Sequence, residues 1–174
     1  VAYLLGRWNT ESYFAGAVGY DDFGTFIKKD LENGNVHTNF MEVNYEKKTT
    51  TTFIIANKET TSRTQLMIEP EVYHLKKYEF DVTPDVVYTD GYEYSATMSA
   101  LNKYPNAITL LGAGLNYADP KEVISLAKAV KYVVFSMEFA CQVTKMRVDM
   151  NNPTHLLNLY KELREKFPNN ELIV

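Results

Sequence analysis

The sequence has 174 residues, 45% apolar and 23% charged, with 18 basic against 22 acidic side chains and a net charge of −4. Such a chain can bury one sizeable core, is too ordinary in composition to be disordered, and lacks the basic surface that nucleic-acid binding needs. No apolar run approaches the roughly 20 residues that span a bilayer. The single cysteine, Cys141, excludes an internal disulfide and a cysteine-based zinc site, and fits a reducing, cytosolic setting.

Taken from the start, Val1–Gly6 is neither the charged nor the apolar region of a signal peptide. It reads as the last turn of an apolar helix stopped by Gly6 at C′. Gly16, Gly19 and Gly24 then punctuate a short strand and a helix start. Asp21 and Asp22 fall at that helix N-terminus, where carboxylates cap and complement the dipole; a carboxylate pair also suits acid–base work. Phe23, Phe26, Ile27 and Leu31 share one face of the helix, and Gly34 ends it.

Residues 36–69 are β-rich. Thr50–Ile55 and Arg63–Ile68 are strands rich in Thr and Ile, and the polar Asn57–Ser62 between them turns a hairpin. The Thr49–Thr52 run reads as exposed β-surface. From residue 85 the rhythm is strand, helix, strand: strands at 85–88, 107–111, 132–135 and 172–174, and helices at 94–104, after Asp119-Pro120 and after Asn152-Pro153. Asp119 caps, Pro120 suits the first helical position, and Glu122 completes a capping box. Val123, Ile124, Leu126, Ala127 and Val130 form one buried stripe; Leu156, Leu157, Leu159, Tyr160 and Leu163 form another, ended by Pro168. Short apolar strands alternating with helices specify an α/β fold, a doubly wound and mainly parallel sheet with helices on both faces, plus a small β lid. The division expected is an α/β core of residues 1–35 and 80–174 and a β-rich lid of 36–79. A start inside a helix and a stop inside a strand lead us to expect a piece of a longer chain.

Few residues carry obvious chemistry. His37, His74 and His155 have no metal-ligand spacing, and Cys141 reads as an inert thiol on an apolar helical face. Gly112-Ala113-Gly114 follows a strand, where a glycine turn lets backbone approach a ligand, but it lacks the full dinucleotide spacing.

Gly16-Ala17-Val18-Gly19-Tyr20-Asp21-Asp22-Phe23-Gly24 resembles the G-x-V-G-x-D-x-F-G segment of the ribokinase/PfkB carbohydrate kinase family. Gly6, nine residues and then Gly16 fit the tail of that family's N-terminal signature. Thr50, Thr51 and Phe53–Ile55, followed by Thr61–Thr64, resemble its lid strand and Arg-Thr hairpin. Asp85–Gly91 is similar to the strand leading into its sugar site, and Tyr132–Ala140 to the strand and acidic segment before its nucleotide half.

The resemblance implies an ATP-dependent kinase that phosphorylates a hydroxymethyl group of a small sugar or nucleoside, with ATP and Mg²⁺ as its cofactors. On that reading Asp90, Gly91, Thr51 and Phe53 contact substrate, and Gly16, Gly19, Asp21 and Gly24 are family-motif positions. No catalytic residue is expected here, because the family's base, in a G-A-G-D motif, would fall beyond Val174; Gly112-Ala113-Gly114 is followed by Leu115. The sequence also departs from the family's N-x-x-E: Ser136 replaces the Asn and Phe139 the Glu, leaving Glu138, one position off, as the sole metal candidate. The resemblance is compatible with a homodimer through the lid, and with neither a nucleic-acid nor a membrane partner. The alternatives are a non-catalytic sugar-binding or interaction module of kinase-like fold, and a different doubly wound enzyme using the Gly112–Gly114 turn.

Overall fold

The computed structural model describes residues 1–68, 75, 80–114 and 120–173. The chain divides into two compact units, Val1–Leu75 and Lys76–Val174.

The first unit opens with α1 (Ala2–Arg7), β1 (Ser12–Gly19), α2 (Asp22–Asn33) and β2 (Val36–Asn44). Strands β1 and β2 pair in parallel from Ser12↔Val36 to Gly19↔Asn44, with a register shift between Tyr13 and Ala15. Residues 36–44, grouped by sequence with the β-rich segment, are thus tied to β1. Gly6 does not end α1: the helix continues to Arg7, and the left-handed residue beyond it is Asn9, at φ 59°. Gly6 is buried, and a Cβ there would run into the carbonyl oxygen of Gly34. The glycine serves a close backbone approach, with α1 lying against the α2–β2 turn. Helix α2 buries less of its apolar stripe than its spacing suggests. Ile27 and Leu31 are half-buried, whereas Phe23 and Phe26 are 55% and 66% exposed.

Strands β3 (Thr51–Ala56) and β4 (Arg63–Ile68) form an antiparallel two-stranded sheet of their own, in register from Thr51↔Ile68 to Ala56↔Arg63. Asn57 closes the turn. Its N–H donates to the Ser62 carbonyl at 2.9 Å, and its Oδ1 accepts from the N–H groups of Glu59 and Thr60. The hairpin is the one expected, and one of its faces is apolar: Phe53, Ile55, Leu66 and Ile68 share it and are all exposed.

The second unit holds β5 (Val86–Thr89), α3 (Tyr94–Lys103), β6 (Ile108–Ala113), α4 (Pro120–Ala129), β7 (Tyr132–Phe135), α5 (Met137–Thr144), α6 (Pro153–Lys166) and β8 (Glu171–Ile173). Its sheet runs β5-β6-β7-β8 with every pair parallel, as the alternating pattern predicts. The expected cap Asp119 lies outside the described residues. Asn152 caps α6, its Oδ1 accepting the Thr154 N–H at 3.0 Å.

One core joins Leu111, Ala113, Val133 and Phe135 of the sheet to Val123, Leu126 and Ala127 of α4, Phe139 and Ala140 of α5, and Leu159 and Leu163 of α6. The α4 stripe is buried as expected. The α6 stripe is narrower than expected, with Leu157 and Tyr160 exposed. Sheet positions that alternate with the core residues, Val86, Tyr88, Ile108 and Val134, are 43–51% exposed. Among the described residues of this unit the helices therefore gather on one face of the sheet and leave the other open. Among the described residues no helix is long and apolar enough to cross a membrane.

Candidate functional site

The glycine-punctuated segment builds a knot at the end of β1. Asp21 is the N-cap of α2, its Oδ1 accepting the Gly24 N–H at 2.8 Å. The same carboxylate reaches 28 residues along the chain to Thr49. Its Oδ2 accepts the Thr49 N–H at 2.8 Å, and its Oδ1 accepts the Thr49 hydroxyl at 2.7 Å. The Thr49 Oγ1 in turn accepts the Gly19 N–H at 2.9 Å. These hydrogen bonds, led by those from Thr49 and Gly24, lower the Asp21 pKa to about 2.

The glycines leave room for this arrangement. A Cβ on Gly19 would lie 2.5 Å from both the Lys47 oxygen and the Thr49 nitrogen, and one on Gly24 would strike the Gly19 carbonyl. Gly16 differs, since its Cβ would meet only the Phe14 ring. Of the two acidic residues, Asp21 is a structural cap and Asp22 sits in the first helical turn. Thr49 was not singled out by sequence; its partners are too distant for a local pattern to reveal them.

In the second unit the chain leaves β5 through Thr89-Asp90-Gly91. Gly91 adopts φ 90°, a conformation that disfavours any side chain, and its N–H donates to the buried Thr89 hydroxyl at 3.1 Å. Thr89 is paired in turn with Thr97 of α3 at 3.0 Å. The Asp90 side chain is exposed, with Oδ1 accepting the Tyr92 N–H at 3.2 Å. This turn stands at the C-terminal end of a parallel strand, where open α/β sheets collect ligands. Thr51 and Phe53 belong to the first unit. Thr51 donates to the Thr49 carbonyl at 3.2 Å, and Phe53 is 54% exposed.

Glu138 is exposed in the first turn of α5, whose N-cap Ser136 accepts the Phe139 N–H at 3.2 Å. Phe139 is turned into the core against Phe135, with ring centroids 5.7 Å apart. No group of three His, Cys, Asp or Glu side chains with the placement to hold a metal ion occurs among the described residues. Glu138 supplies one oxygen donor group where a divalent cation takes six or more ligands, so the described residues do not form a magnesium site of their own. His37 stacks on Tyr13 at 4.6 Å, and His155 accepts the Asp149 N–H. His74 lies outside the described residues.

The fold is that of a parallel α/β protein, a class in which small ligands collect at strand C-termini. The family model described as pfkB family carbohydrate kinase matches residues 1–170, and the chain belongs to that family. Among curated proteins none matches the sequence.

Solved structures share the fold. A protein described as a ribokinase from Agrobacterium tumefaciens superposes with a TM-score of 0.77 at 22% identity, covering 98% of this chain and 55% of its own. A 2-dehydro-3-deoxygluconokinase from Thermotoga maritima gives 0.77 at 13%, covering 95% and 58%. A ribokinase from Cryptococcus neoformans in complex with ADP gives 0.73 at 14%, covering 97% and 55%. The chain thus spans little more than half the length of these relatives.

Proposed function

We propose that this chain is the acceptor-binding part and lid of an ATP-dependent kinase that phosphorylates a hydroxymethyl group of a small sugar or nucleoside. The observation that carries the reading is the family match over residues 1–170, which runs through both units; the resemblance of Asp85–Gly91 to the strand leading into the family's sugar site supports the Asp90–Gly91 turn as the acceptor end. The ADP held by the ribokinase from Cryptococcus neoformans supports ATP as the donor.

Transfer of a phosphoryl group depends on positioning and on charge stabilisation rather than on covalent chemistry by the protein. In this chain Asp90 orients the acceptor. One carboxylate oxygen holds the turn, and the other is available to a substrate hydroxyl. By the family resemblance Thr51 and Phe53 of the first unit belong to the lid, whose part is to keep water from the substrate. A second copy would pair with the exposed strand edges of the same hairpin, since such edges recruit strands.

The test is sugar-dependent ADP release by the product of the complete gene, across D-ribose, D-fructose, 2-dehydro-3-deoxy-D-gluconate and adenosine. Turnover with one of them is the expected result. The 174-residue chain should release little ADP, because no Gly-Ala-Gly-Asp occurs in its sequence. Sugar binding without any turnover by the complete product would favour the non-catalytic module instead.

A further inference from the structure

The open face of the β5-β6-β7-β8 sheet carries one side chain whose placement the fold does not explain. Tyr88, two residues before Asp90, pairs with Leu110 on β6, and Gly112 is the next residue of β6 on the same face. Strand side chains lean along their strand, and here the bare Cα of Gly112 leaves the space for it. The Tyr88 ring lies across Gly112 so closely that a Cβ there would strike the phenol oxygen and come within 3.2 Å of Cζ. A tyrosine used only for packing would serve as well without its hydroxyl. This one remains 46% exposed, and the hydroxyl has no hydrogen-bond partner among the described residues.

From Tyr88 and Gly112 at the strand ends, we infer that the Tyr88 hydroxyl is a positioning and specificity group of the acceptor site, donating a hydrogen bond to a hydroxyl of the bound polyol beside Asp90. The inference rests on the kinase reading above and adds a residue that neither the motif nor the family match assigns. Partial burial and the negative charge of Asp90 both raise the phenol's pKa, so it remains a donor at neutral pH. The ring supplies an apolar floor for the C–H face of a sugar, and the adjacent carboxylate accepts from a second hydroxyl.

The experiment is calorimetric titration of the 174-residue chain with D-ribose, D-fructose, 2-dehydro-3-deoxy-D-gluconate and adenosine, for wild type, Tyr88→Phe, Gly112→Ala and Asp90→Asn. Tyr88→Phe keeps the ring and should weaken binding by about tenfold, the order of one hydrogen bond, with the melting temperature unchanged. Gly112→Ala meets only the far end of the Tyr88 side chain, so it should displace the phenol and reproduce the loss without touching Tyr88. The Tyr88→Phe penalty should vanish when the ligand is the deoxy analogue lacking the contacted hydroxyl, which a purely structural role would not produce. Binding that Asp90→Asn weakens and Tyr88→Phe leaves unchanged would overturn the role of Tyr88 and spare the kinase reading. No binding of any of the four ligands by wild type would overturn both.

Discussion

The Asp21 carboxylate and the Thr49 hydroxyl, 28 positions apart in sequence, meet at 2.7 Å and close the end of β1 against the start of α2. Asp21 accepts three hydrogen bonds there, two of them from Thr49. The most family-like segment of the sequence is therefore first of all a structural clasp, and its acidic residue is committed before any substrate arrives.

The clasp makes a signed prediction about acid. The Asp21 pKa is about 2 when folded, against an ordinary value of 3.8. A depressed folded pKa stabilises the native state above the unfolded value, and that contribution is lost as pH falls from about 4 through about 2. Chemical denaturation between pH 5 and 2 should show a loss of stability in that window which Asp21→Asn reduces. Equal acid sensitivity in the two proteins would refute the assignment.

Thr49→Val keeps the shape and removes the hydroxyl. The Gly19 N–H then loses its acceptor in a buried position, at a cost of about 1–3 kcal/mol. Alanine at Gly19 or Gly24 should cost a similar amount, about 1–3 kcal/mol, because its Cβ meets backbone that cannot move away. Gly114→Ala meets nothing within 4 Å among the described residues and should stay within about 0.5 kcal/mol of wild type. Urea midpoints of the four variants check the ranking, and an equal effect at Gly114 and Gly24 would contradict the packing described.

Asn170 ties the α6–β8 connection to the end of α4. It is 4% exposed, and its Nδ2 donates to the carbonyls of Ala127 and Val130 at 2.5 Å. Asn170→Ala leaves two helix-end carbonyls buried without this donor and should destabilise the second unit by about 1–3 kcal/mol. Hydrogen exchange should locate the loss at the C-terminal turn of α4, and thermal melts should register its size.

The four parallel strands were legible because each is a bounded apolar run between helices with recognisable starts, as Asn152-Pro153 shows for α6. The hairpin was legible from Asn57 and its polar turn. What escaped the sequence depends on distant contacts. Gly6 looked like a helix stop, yet its reason is the carbonyl of Gly34. Thr49 was hidden in a run of threonines that looked interchangeable. Phe23 and Phe26 have helical spacing, but spacing does not say whether a neighbour covers them. Of the candidate site, the turn at Asp90-Gly91 was legible, whereas Tyr88 was read only as part of a strand, because a strand pattern does not disclose the glycine beside it.

The departure from N-x-x-E yields the last prediction. By the resemblance Phe139 stands where the family's glutamate is expected, and it is 2% exposed, packed on Phe135 within the core that also holds Phe167. Restoring the family residue by Phe139→Glu would remove that packing and bury a carboxylate without a partner, costing about 3 kcal/mol or more. Glu138→Gln removes an exposed charge from the first turn of α5 and should cost under about 1 kcal/mol. Melting followed by circular dichroism should therefore show Phe139→Glu far below wild type and Glu138→Gln close to it, and calorimetric titration with magnesium should show no gain in affinity for Phe139→Glu. A folded Phe139→Glu protein that binds magnesium more tightly than wild type would mean that this side chain reaches solvent on the ligand side of α5, contrary to its place in the core.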